Sequence, residues 1–287
     1  MPTWLEPAFV RELEALRRKL VIKTASGRAG EHLSRRRGGS AEFAEHRPYE
    51  WGDDPRRIDW LAFARTGEPV VKQFRADEDV ILRVLLDTSG SLEGEKLDRA
   101  ARIAAALGYI GLAQNERVQL IPFADRASVR SRPHRGRGGL PALLRTLDGI
   151  VCEGTTSLAS AVETSIARGR PGMLAVISDF LDPSGFEAPL ARARAAGHEL
   201  LLVQVLTPEE LEPPWSGDVD LEDAETGERV TLTADVDTIE AYRARLHGLF
   251  EMLRGFARKH GATYVRGLTN EPLEAVVRRV VDRRVDP

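Results

Sequence analysis

Apolar runs separated by amphipathic stretches organise most of this 287-residue chain. The runs at 80–86 and 173–177 contain almost no polar residues, which is typical of strands buried on both faces of a parallel sheet. Further strands are predicted at 70–74, 118–123, 199–206 and 263–265. Because helical stretches alternate with these strands, the pattern predicts an α/β fold with a doubly wound, mainly parallel sheet and right-handed crossovers.

The segments between the strands carry helical patterns. Segment 96–114 is rich in Ala, Ile and Leu on nearly all sides, so we expect a helix that is buried against the sheet. An amphipathic helix is predicted to open the chain, where apolar residues recur at helical spacing at Leu5, Phe9, Leu13, Leu16 and Leu20. Other helices are predicted at 140–147, 157–168, 185–196, 236–259 and from 271.

Two short alternating segments interrupt this order late in the chain. Residues 219–223 and 229–233 alternate polar and apolar side chains around Glu225-Thr226-Gly227, which predicts a β-hairpin inserted at about 207–235. Residues 26–79 contain glycines, arginines and acids with few apolar runs. We therefore expect a helical and irregular extension in residues 1–78, packed on a core domain in residues 79–287.

Composition places the chain among ordinary globular proteins, with 42% hydrophobic and 30% charged residues. A net charge of -3 and a pI near 6.1 give no general argument for nucleic acid or anionic membranes. The basic stretch from Arg126 to Arg137 lacks interleaved aromatic residues, so we expect no nucleic-acid partner. The single cysteine, Cys152, suits a reducing compartment, and no run is long enough to span a bilayer. We therefore expect a cytoplasmic protein.

Oxygen-bearing side chains follow the strand at 80–86. Asp87, Ser89 and Ser91 are spaced by single residues and precede the buried helix. Side chains at the carboxyl end of a parallel strand converge on the edge of the sheet where ligands bind. One carboxylate and two hydroxyls are hard oxygen ligands, which suit Mg²⁺ better than zinc or copper.

Two other loops have the same position in the pattern. Thr155 and Thr156 precede a helical stretch, and Asp179 follows the buried run at 173–177. Asp, Ser and Thr also serve as turn formers and helix N-caps, which explains any one of these loops. Turn formation and helix capping do not explain why oxygen-bearing loops follow the apolar strands, so the pattern favours a shared metal site.

These three loops together resemble the von Willebrand factor A domain, in which a D-x-S-x-S loop, a threonine loop and a later aspartate hold one divalent ion. The resemblance implies a metal-ion-dependent adhesion site with Mg²⁺, or alternatively Mn²⁺ or Ca²⁺. Thr156 precedes Leu158 by two residues, as in the family's G-G-T-x-L pattern, but Thr155 replaces the usual second glycine and remains an alternative ligand. The matching positions are Asp87, Ser89, Ser91, Thr156 and Asp179.

Residues 42–60 resemble the signature E-F-x-x-x-R-x-Y-x-x-G-D-D-x-R-x-I-D-W of the bacterial family called domain of unknown function 58. In that family the signature precedes a von Willebrand A-like domain, and members commonly occur beside MoxR-type AAA+ ATPases. The resemblance therefore implies such an ATPase as a partner. The matching positions include Arg47, Tyr49, Gly52, Asp53, Asp54, Arg56, Asp59 and Trp60.

The signature alternates acids with arginines around aromatic residues. Such residues can form an ionic latch that orders an irregular chain, and Gly52 permits a tight turn. A docking surface, or a gate over the metal, is the functional alternative. Asp53 and Asp54 are adjacent, which disfavours a catalytic acid–base pair because neighbouring carboxylates rarely converge on one bond.

Three functional hypotheses follow. The first is a non-enzymatic binding module, an adaptor in which the metal accepts an acidic side chain from a protein partner. The second is a Mg²⁺-dependent hydrolase or phosphatase, against which Ser89 stands at the second acidic position of a D-x-D pattern and no G-x-x-x-x-G-K, G-x-S-x-G or H-E-x-x-H motif is present. The third is a scaffold whose metal site holds no ion.

Overall fold

The computed structural model describes residues 4, 6–22, 42–75, 81–128, 132–167 and 170–286. The chain forms two compact units, residues 1–24 with 80–287 and residues 25–79. Leu5 of the predicted first helix, Val80 of the predicted strand, residue 168 of a predicted helix and residues 129–131 of the basic stretch lie outside the described residues. Within the described part, no helix combines the length and apolarity needed to cross a bilayer.

The strands of the described residues are β1 (Glu42–Pro48), β2 (Val70–Arg75), β3 (Ile81–Asp87), β4 (Arg117–Phe123), β5 (His134–Arg135), β6 (Met173–Ser178), β7 (Glu199–Leu206), β8 (Gly217–Glu222), β9 (Arg229–Ala234) and β10 (Thr263–Leu268). The α-helices are α1 (Pro7–Lys19), α2 (Trp60–Thr66), α3 (Glu95–Ala113), α4 (Leu140–Asp148), α5 (Leu158–Ala167), α6 (Glu187–Ala195), α7 (Pro208–Leu211), α8 (Val236–His260) and α9 (Leu273–Val281).

A six-stranded sheet with the order β10-β7-β6-β3-β4-β5 forms the centre of the larger unit. All neighbouring strands are parallel except β4 and β5, which pair antiparallel over two residues at the edge. The chain runs from β3 to β4 in one direction, and from β6 to β7 in the other. The predicted α/β fold with a mainly parallel sheet is therefore confirmed, and its switch point lies between β3 and β6.

Helices cover both faces of this sheet. One apolar cluster joins α1, α3, α4 and α9 to one face, and a second joins α5, α6 and α8 to the other face. All seven residues of β3 are buried, and α3 is buried over most of its surface, as its apolar pattern predicts. The uninterrupted apolar runs thus mark the strands at the centre of the molecule.

The amphipathic helix α1 belongs to the larger unit. Its apolar face packs on α3 through Leu13 and Leu16, and the hydroxyl of Tyr109 donates a hydrogen bond to Glu14. The sequence-based boundary after residue 78 groups this helix with the signature segment, whereas the compact units separate the two. The difference arises because α3 covers the apolar face of α1, so this helix belongs to the larger unit.

The smaller unit is built on a two-stranded antiparallel sheet of β1 and β2. The register shifts between Phe43 and Glu45, and the short helix α2 lies between the strands in sequence. The sequence pattern predicts β2 but gives no prediction for β1 or α2. Charged residues are frequent in β1, and α2 has only seven residues, so neither produces an apolar period.

The predicted hairpin is formed by β8 and β9, which pair antiparallel from Gly217 with Ala234 to Glu222 with Arg229. Most of its side chains are exposed on both faces. The short helix α7 precedes it, with a capping box between Thr207 and Glu210. We call residues 223–228, which join the two strands, the hairpin tip.

Candidate metal centre

The sequence-predicted ligands lie where β3 and β6 end side by side. Asp87 is the last residue of β3, and Asp179 directly follows β6. Both strands end at the switch point, where the connections leave the sheet in opposite directions and open a crevice. We use the name candidate metal centre for Asp87, Ser89, Ser91, Thr156 and Asp179.

Asp87 is fully buried, and its carboxylate joins three separate segments of the chain. Its Oδ1 accepts the backbone N–H of Ser89 at 3.0 Å, and its Oδ2 accepts the hydroxyls of Thr156 at 3.0 Å and Ser178 at 2.6 Å. Burial raises the pKa of Asp87 to about 6; the negative charge of Asp179 adds to the rise, and the Ser178 hydrogen bond opposes it. A buried carboxylate of this kind is stabilised in its charged form by a nearby cation.

Ser89 and Ser91 turn their hydroxyls toward each other, with 3.1 Å between the two Oγ atoms. Ser89 is fully buried and Ser91 is half-buried. A 3-10 turn at Gly90–Leu92 follows Ser89 and keeps both hydroxyls on one side of the loop. The D-x-S-x-S loop thus holds two neutral oxygens side by side, and Ser89 also donates its backbone N–H to the Asp87 carboxylate.

Backbone hydrogen bonds hold the rim of this crevice together. Thr88 donates its N–H to the carbonyl oxygen of Phe123 at 2.8 Å, which ties the loop after β3 to the end of β4. The N–H of Gly90 bonds the carbonyl oxygen of Gly154 at 3.0 Å, and the N–H of Glu153 bonds that of Thr88 at 3.1 Å. The position of the threonine loop is therefore fixed by the D-x-S-x-S loop.

The two threonines of that loop have different environments. Thr156 is 8% exposed and points its hydroxyl at Asp87, whereas Thr155 is exposed to solvent. Gly154 supplies a left-handed backbone with φ of +74° just before them, which turns the chain into the site. The geometry brings Thr156, and not Thr155, to the other proposed ligands.

Asp179 is fully buried, and its backbone is held by a side chain of the neighbouring strand β7. Its carbonyl oxygen accepts the side-chain N–H of Gln204 at 2.9 Å, and Gln204 in turn accepts the hydroxyl of Tyr264 at 2.7 Å. Phe180 adopts a left-handed backbone with φ of +60°, and the N–H of Leu181 bonds Asp179 Oδ1 at 3.2 Å. These contacts hold the carboxylate in the crevice.

Lys96, at the start of α3, was not singled out from the sequence. Its ammonium is 3.0 Å from Asp179 Oδ2 and 2.7 Å from Glu210 Oε1, and the residue is only 7% exposed. Burial lowers the pKa of Lys96, but the charges of Asp179 and Glu210 more than offset this, so the net shift is upward. A permanent cation therefore lies at the same carboxylate that the sequence assigns to the metal.

Ser178 is a second residue that the sequence pattern did not identify. Its hydroxyl donates to Asp87 and accepts the N–H of Phe180 at 3.0 Å. Both Ser178 and Lys96 stand next to predicted features, at the end of a strand and the start of a helix. A polar residue at the end of an otherwise apolar strand is the signal that could have found Ser178.

The signature residues form part of the predicted ionic latch within the smaller unit. Arg47 makes a bidentate pair with Asp53, with N–O distances of 2.7 and 2.6 Å. Glu50 donates its N–H to the Asp53 carboxylate at 3.0 Å, and Tyr49 donates its hydroxyl to the Asp53 carbonyl at 3.4 Å. Gly52 has φ of +111°, as expected for the tight turn that brings Asp53 back to Arg47.

Two other signature aspartates act as helix caps. Asp54 accepts the N–H of Arg56 at 3.0 Å, and Asp59 accepts two N–H groups of the first turn of α2 at 3.1 and 3.2 Å. The second oxygen of Asp59 is 2.9 Å from Nε2 of His46. Trp60 is 61% exposed, so it does not contribute to a core of the smaller unit. The aspartates order this chain locally, whereas Trp60 lies on its surface.

The donor set of the candidate metal centre fits a hard divalent cation. It offers two buried carboxylates and three hydroxyls, all of them oxygens, with few charges. Among the described residues, no group of three or more His, Cys, Asp or Glu side chains could hold a metal ion. A cation at this centre would therefore rely on hydroxyls and water rather than on nitrogen, sulfur or many carboxylates.

Comparisons with known proteins find one matching family and several relatives of the chain. A family model described as "Protein of unknown function DUF58" matches residues 45–249. The uncharacterized protein Rv1480 of Mycobacterium tuberculosis is 34% identical over 232 residues, which cover 77% of this chain and 73% of the relative. The uncharacterized protein MAV169 of Mycobacterium avium is 50% identical over 66 residues, 23% of this chain and 38% of the relative.

Two solved structures align with part of the chain. The conserved hypothetical protein BatB from Bacteroides thetaiotaomicron aligns with a TM-score of 0.46 at 16% identity, over 71% of this chain and 98% of that one. An aerotolerance-related membrane protein from Bacteroides fragilis NCTC 9343 aligns with a TM-score of 0.48 at 17% identity, also over 71% and 98%.

Proposed function

The chain belongs to the family of proteins of unknown function DUF58, and we propose on that premise that it is a non-enzymatic, divalent-metal-dependent protein-binding module. Its partner is a MoxR-type AAA+ ATPase, for which it serves as an adaptor. The metal is Mg²⁺, held in a von Willebrand A-like adhesion site by the candidate metal centre.

One observation carries this proposal. Asp87 accepts hydrogen bonds from the hydroxyl of Thr156, in the loop before α5, and from that of Ser178, the last residue of β6, at the switch point of the sheet. Turn formation and helix capping use a side chain within its own loop, so they do not account for a buried carboxylate that contacts three separate segments of the chain. Convergent oxygens around a buried charge are the arrangement that a hard cation requires.

The residues would have different roles in binding the metal at such a site. Asp87 and Asp179 would supply charge, and Ser89, Ser91 and Thr156 would supply neutral oxygens. A bound Mg²⁺ would serve as a Lewis acid that accepts a carboxylate oxygen from the partner. Gln204 holds the backbone of Asp179 in the crevice, so this residue positions a ligand without being one.

The smaller unit offers a surface that can contribute to the ATPase contact. Trp51 is completely exposed, and Trp60 and Leu61 are 61% and 73% exposed. Large apolar side chains in this number are uncommon on a surface that stays in water, and aromatic residues are enriched at protein interfaces. We propose that the signature segment docks the partner through these residues, while its aspartates order the chain beneath them.

A scaffold without a metal is the second candidate, and a specific contact favours it. The Lys96 ammonium already forms ion pairs with Asp179 and Glu210. In that case the polar residues of the crevice would only connect its loops. A hydrolase is less well supported, because both oxygens of Asp87 accept hydrogen bonds and the carboxylate is fully buried, which leaves a poor nucleophile.

The test measures binding of a purified MoxR-type AAA+ ATPase to the full chain by biolayer interferometry. We expect binding in Mg²⁺ that is lost in EDTA and in the Asp87→Asn variant. Asp125→Asn is the matched control, because Asp125 follows the neighbouring strand β4 but is exposed. Binding that is unchanged by EDTA and by Asp87→Asn contradicts the metal-dependent function.

A further inference from the structure

The hairpin tip lies against the candidate metal centre. The backbone N–H of Thr156 donates to Glu225 Oε2 at 3.2 Å, while the hydroxyl of Thr156 donates to Asp87 Oδ2. Glu225 thus contacts Thr156, which also contacts Asp87. An acidic side chain of the chain itself therefore contacts the threonine loop of the candidate metal centre.

Gly90 makes this approach possible. A Cβ atom at this position would lie 2.3 Å from the carbonyl oxygen of Ala224 and 3.5 Å from Cα of Glu225. The obstructing atoms belong to the backbone of the hairpin tip, so a side-chain rotation could not relieve the clash. Because Gly90 lies between Ser89 and Ser91, the hairpin tip packs directly on the loop that supplies two of the proposed ligands.

The hairpin tip holds Glu225 in a defined turn. Asp223 Oδ1 accepts the N–H groups of Thr226 at 2.7 Å and Glu225 at 2.9 Å, and these backbone hydrogen bonds lower the pKa of Asp223. The N–H of Asp223 bonds the carbonyl oxygen of Glu228 at 2.8 Å, and Gly227 has φ of +72°. Glu225 is therefore presented by a turn that forms within the hairpin tip itself.

The remainder of the hairpin is weakly held. Strands β8 and β9 pair only with each other among the described strands, and their side chains are mostly exposed. A two-stranded ribbon is marginally stable alone, so the contact at the hairpin tip can open at low cost. Residues 218–228 are strongly acidic and include no basic residue; their acids are Asp218, Asp220, Glu222, Asp223, Glu225 and Glu228.

We infer that the hairpin tip is an internal competitor of the partner: Glu225 occupies in cis the position that accepts an acidic side chain in trans. This inference rests on the proposed function and names the regulation of the same site. A partner segment must carry an acidic residue on a tight turn or an extended chain, and it must displace the hairpin tip before it binds. The apparent affinity for the partner is then the intrinsic affinity multiplied by the fraction of molecules in which the hairpin tip is open.

The first experiment tests the contact without any metal. Amide hydrogen exchange of Thr156 is measured in the full chain and in the Glu225→Ala, Gly90→Ala and Glu228→Ala variants. We expect roughly tenfold faster exchange in Glu225→Ala and Gly90→Ala, because the N–H loses its acceptor. Glu228→Ala is the matched control and leaves the rate unchanged. Equal rates in the unmodified chain and Glu225→Ala overturn the inference.

The second experiment tests competition. A fluorescein-labelled peptide with the sequence of residues 218–228 is titrated in Mg²⁺ and followed by fluorescence anisotropy. We expect the peptide to bind Glu225→Ala about tenfold more tightly than it binds the unmodified chain, since the internal competitor is gone. Equal affinity for both, or binding to neither, overturns the inference.

Calorimetric titration with Mg²⁺ separates this inference from the proposed function. Suppose that the unmodified chain binds Mg²⁺, that Asp87→Asn does not, and that the peptide binds the unmodified chain and Glu225→Ala equally well. The metal site is then supported, and the internal competition by the hairpin tip is contradicted. If no protein binds Mg²⁺ but the peptide still binds Glu225→Ala more tightly than the unmodified chain, the metal-dependent function is contradicted. The competition between the hairpin tip and an acidic partner segment is then still supported.

Discussion

Thr156 donates its hydroxyl to Oδ2 of Asp87 at 3.0 Å, across 69 positions of sequence. This bond joins the end of β3 to the loop before α5, and both side chains are buried. A buried hydroxyl–carboxylate contact is stronger than one on the surface, and it fixes both partners. The relationship makes the threonine loop part of the same site as the D-x-S-x-S loop, and it can be tested one side chain at a time.

Thr156→Val removes the hydroxyl at nearly constant volume. We expect Mg²⁺ affinity to fall at least about tenfold, because one oxygen ligand is lost, while Thr156→Ser retains the affinity of the unmodified chain. Thr155→Val is the control, because Thr155 is exposed. Calorimetric titration measures the three variants. A larger loss in Thr155→Val than in Thr156→Val would assign the ligand to the other threonine.

Lys96→Met removes the cation that pairs with Asp179 and Glu210. Removing one partner of a buried ion pair leaves an uncompensated charge, so the free energy of unfolding without metal should fall by about 3–5 kcal/mol. Because the competing ammonium is gone, Mg²⁺ should raise the melting temperature more in Lys96→Met than in the unmodified chain.

The measurement for Lys96 is thermal unfolding with and without Mg²⁺, with Lys96→Arg as the charge-conserving control. If Lys96→Met is as stable as the unmodified chain in the absence of metal, Lys96 does not compensate Asp179 as described here. An equal Mg²⁺ response in the two proteins would mean that the ammonium and the metal do not compete.

Asp59 caps helix α2 in the smaller unit. Asp59→Ala should weaken the helix by about 1 kcal/mol, which corresponds to roughly fivefold faster exchange of the Leu61 and Ala62 amides. Asn is an equally good N-cap, so Asp59→Asn should exchange at nearly the original rate. Hydrogen exchange is the suitable measurement because global unfolding of the larger unit would hide the change. Equal protection in all three proteins would refute the capping role.

His198 should make the larger unit sensitive to acid. The ring is 1% exposed; burial and then the charge of Arg83 lower its pKa from 6.5. A depressed pKa in the folded state adds stability that is complete above pH 6.5 and is lost as the pH falls toward the folded-state pKa. His198→Gln keeps a hydrogen-bond donor but does not titrate there.

Denaturant unfolding of the unmodified chain and His198→Gln between pH 7.5 and 5 isolates this effect, because other titrating groups are common to both proteins. The unfolding free energy of the unmodified chain should fall relative to that of His198→Gln as the pH decreases. Parallel curves would show that His198 titrates alike in the folded and unfolded states.

The sequence predicted the central part of the fold well because burial imposes its own pattern. Strand β3 is predicted at 80–86 and found at Ile81–Asp87, since a strand covered on both faces must be apolar throughout. The same reasoning could not find β1, whose pairing with β2 alone demands no apolar run. It could not find α2 either, because the helix depends on the Asp59 cap more than on periodicity.

The candidate metal centre was predictable where residues stand at strand ends. Asp87 and Asp179 are brought together because parallel strands end at one edge. Glu225 was not predictable, because its contact with Thr156 depends on how the inserted hairpin folds back over Gly90. The role of Lys96 was not predictable for the same reason. A lysine at the start of a helix usually faces water, and Lys96 is buried because Asp179 and Glu210, on other segments, pair with it.

The most direct test of the account is calorimetric titration of Mg²⁺ into the metal-free chain, with Asp87→Asn and Asp125→Asn titrated in parallel. We predict one bound Mg²⁺ in the unmodified chain and in Asp125→Asn, and none in Asp87→Asn. Equal binding in all three proteins, or no binding of Mg²⁺ or Mn²⁺ by any of them, would contradict it.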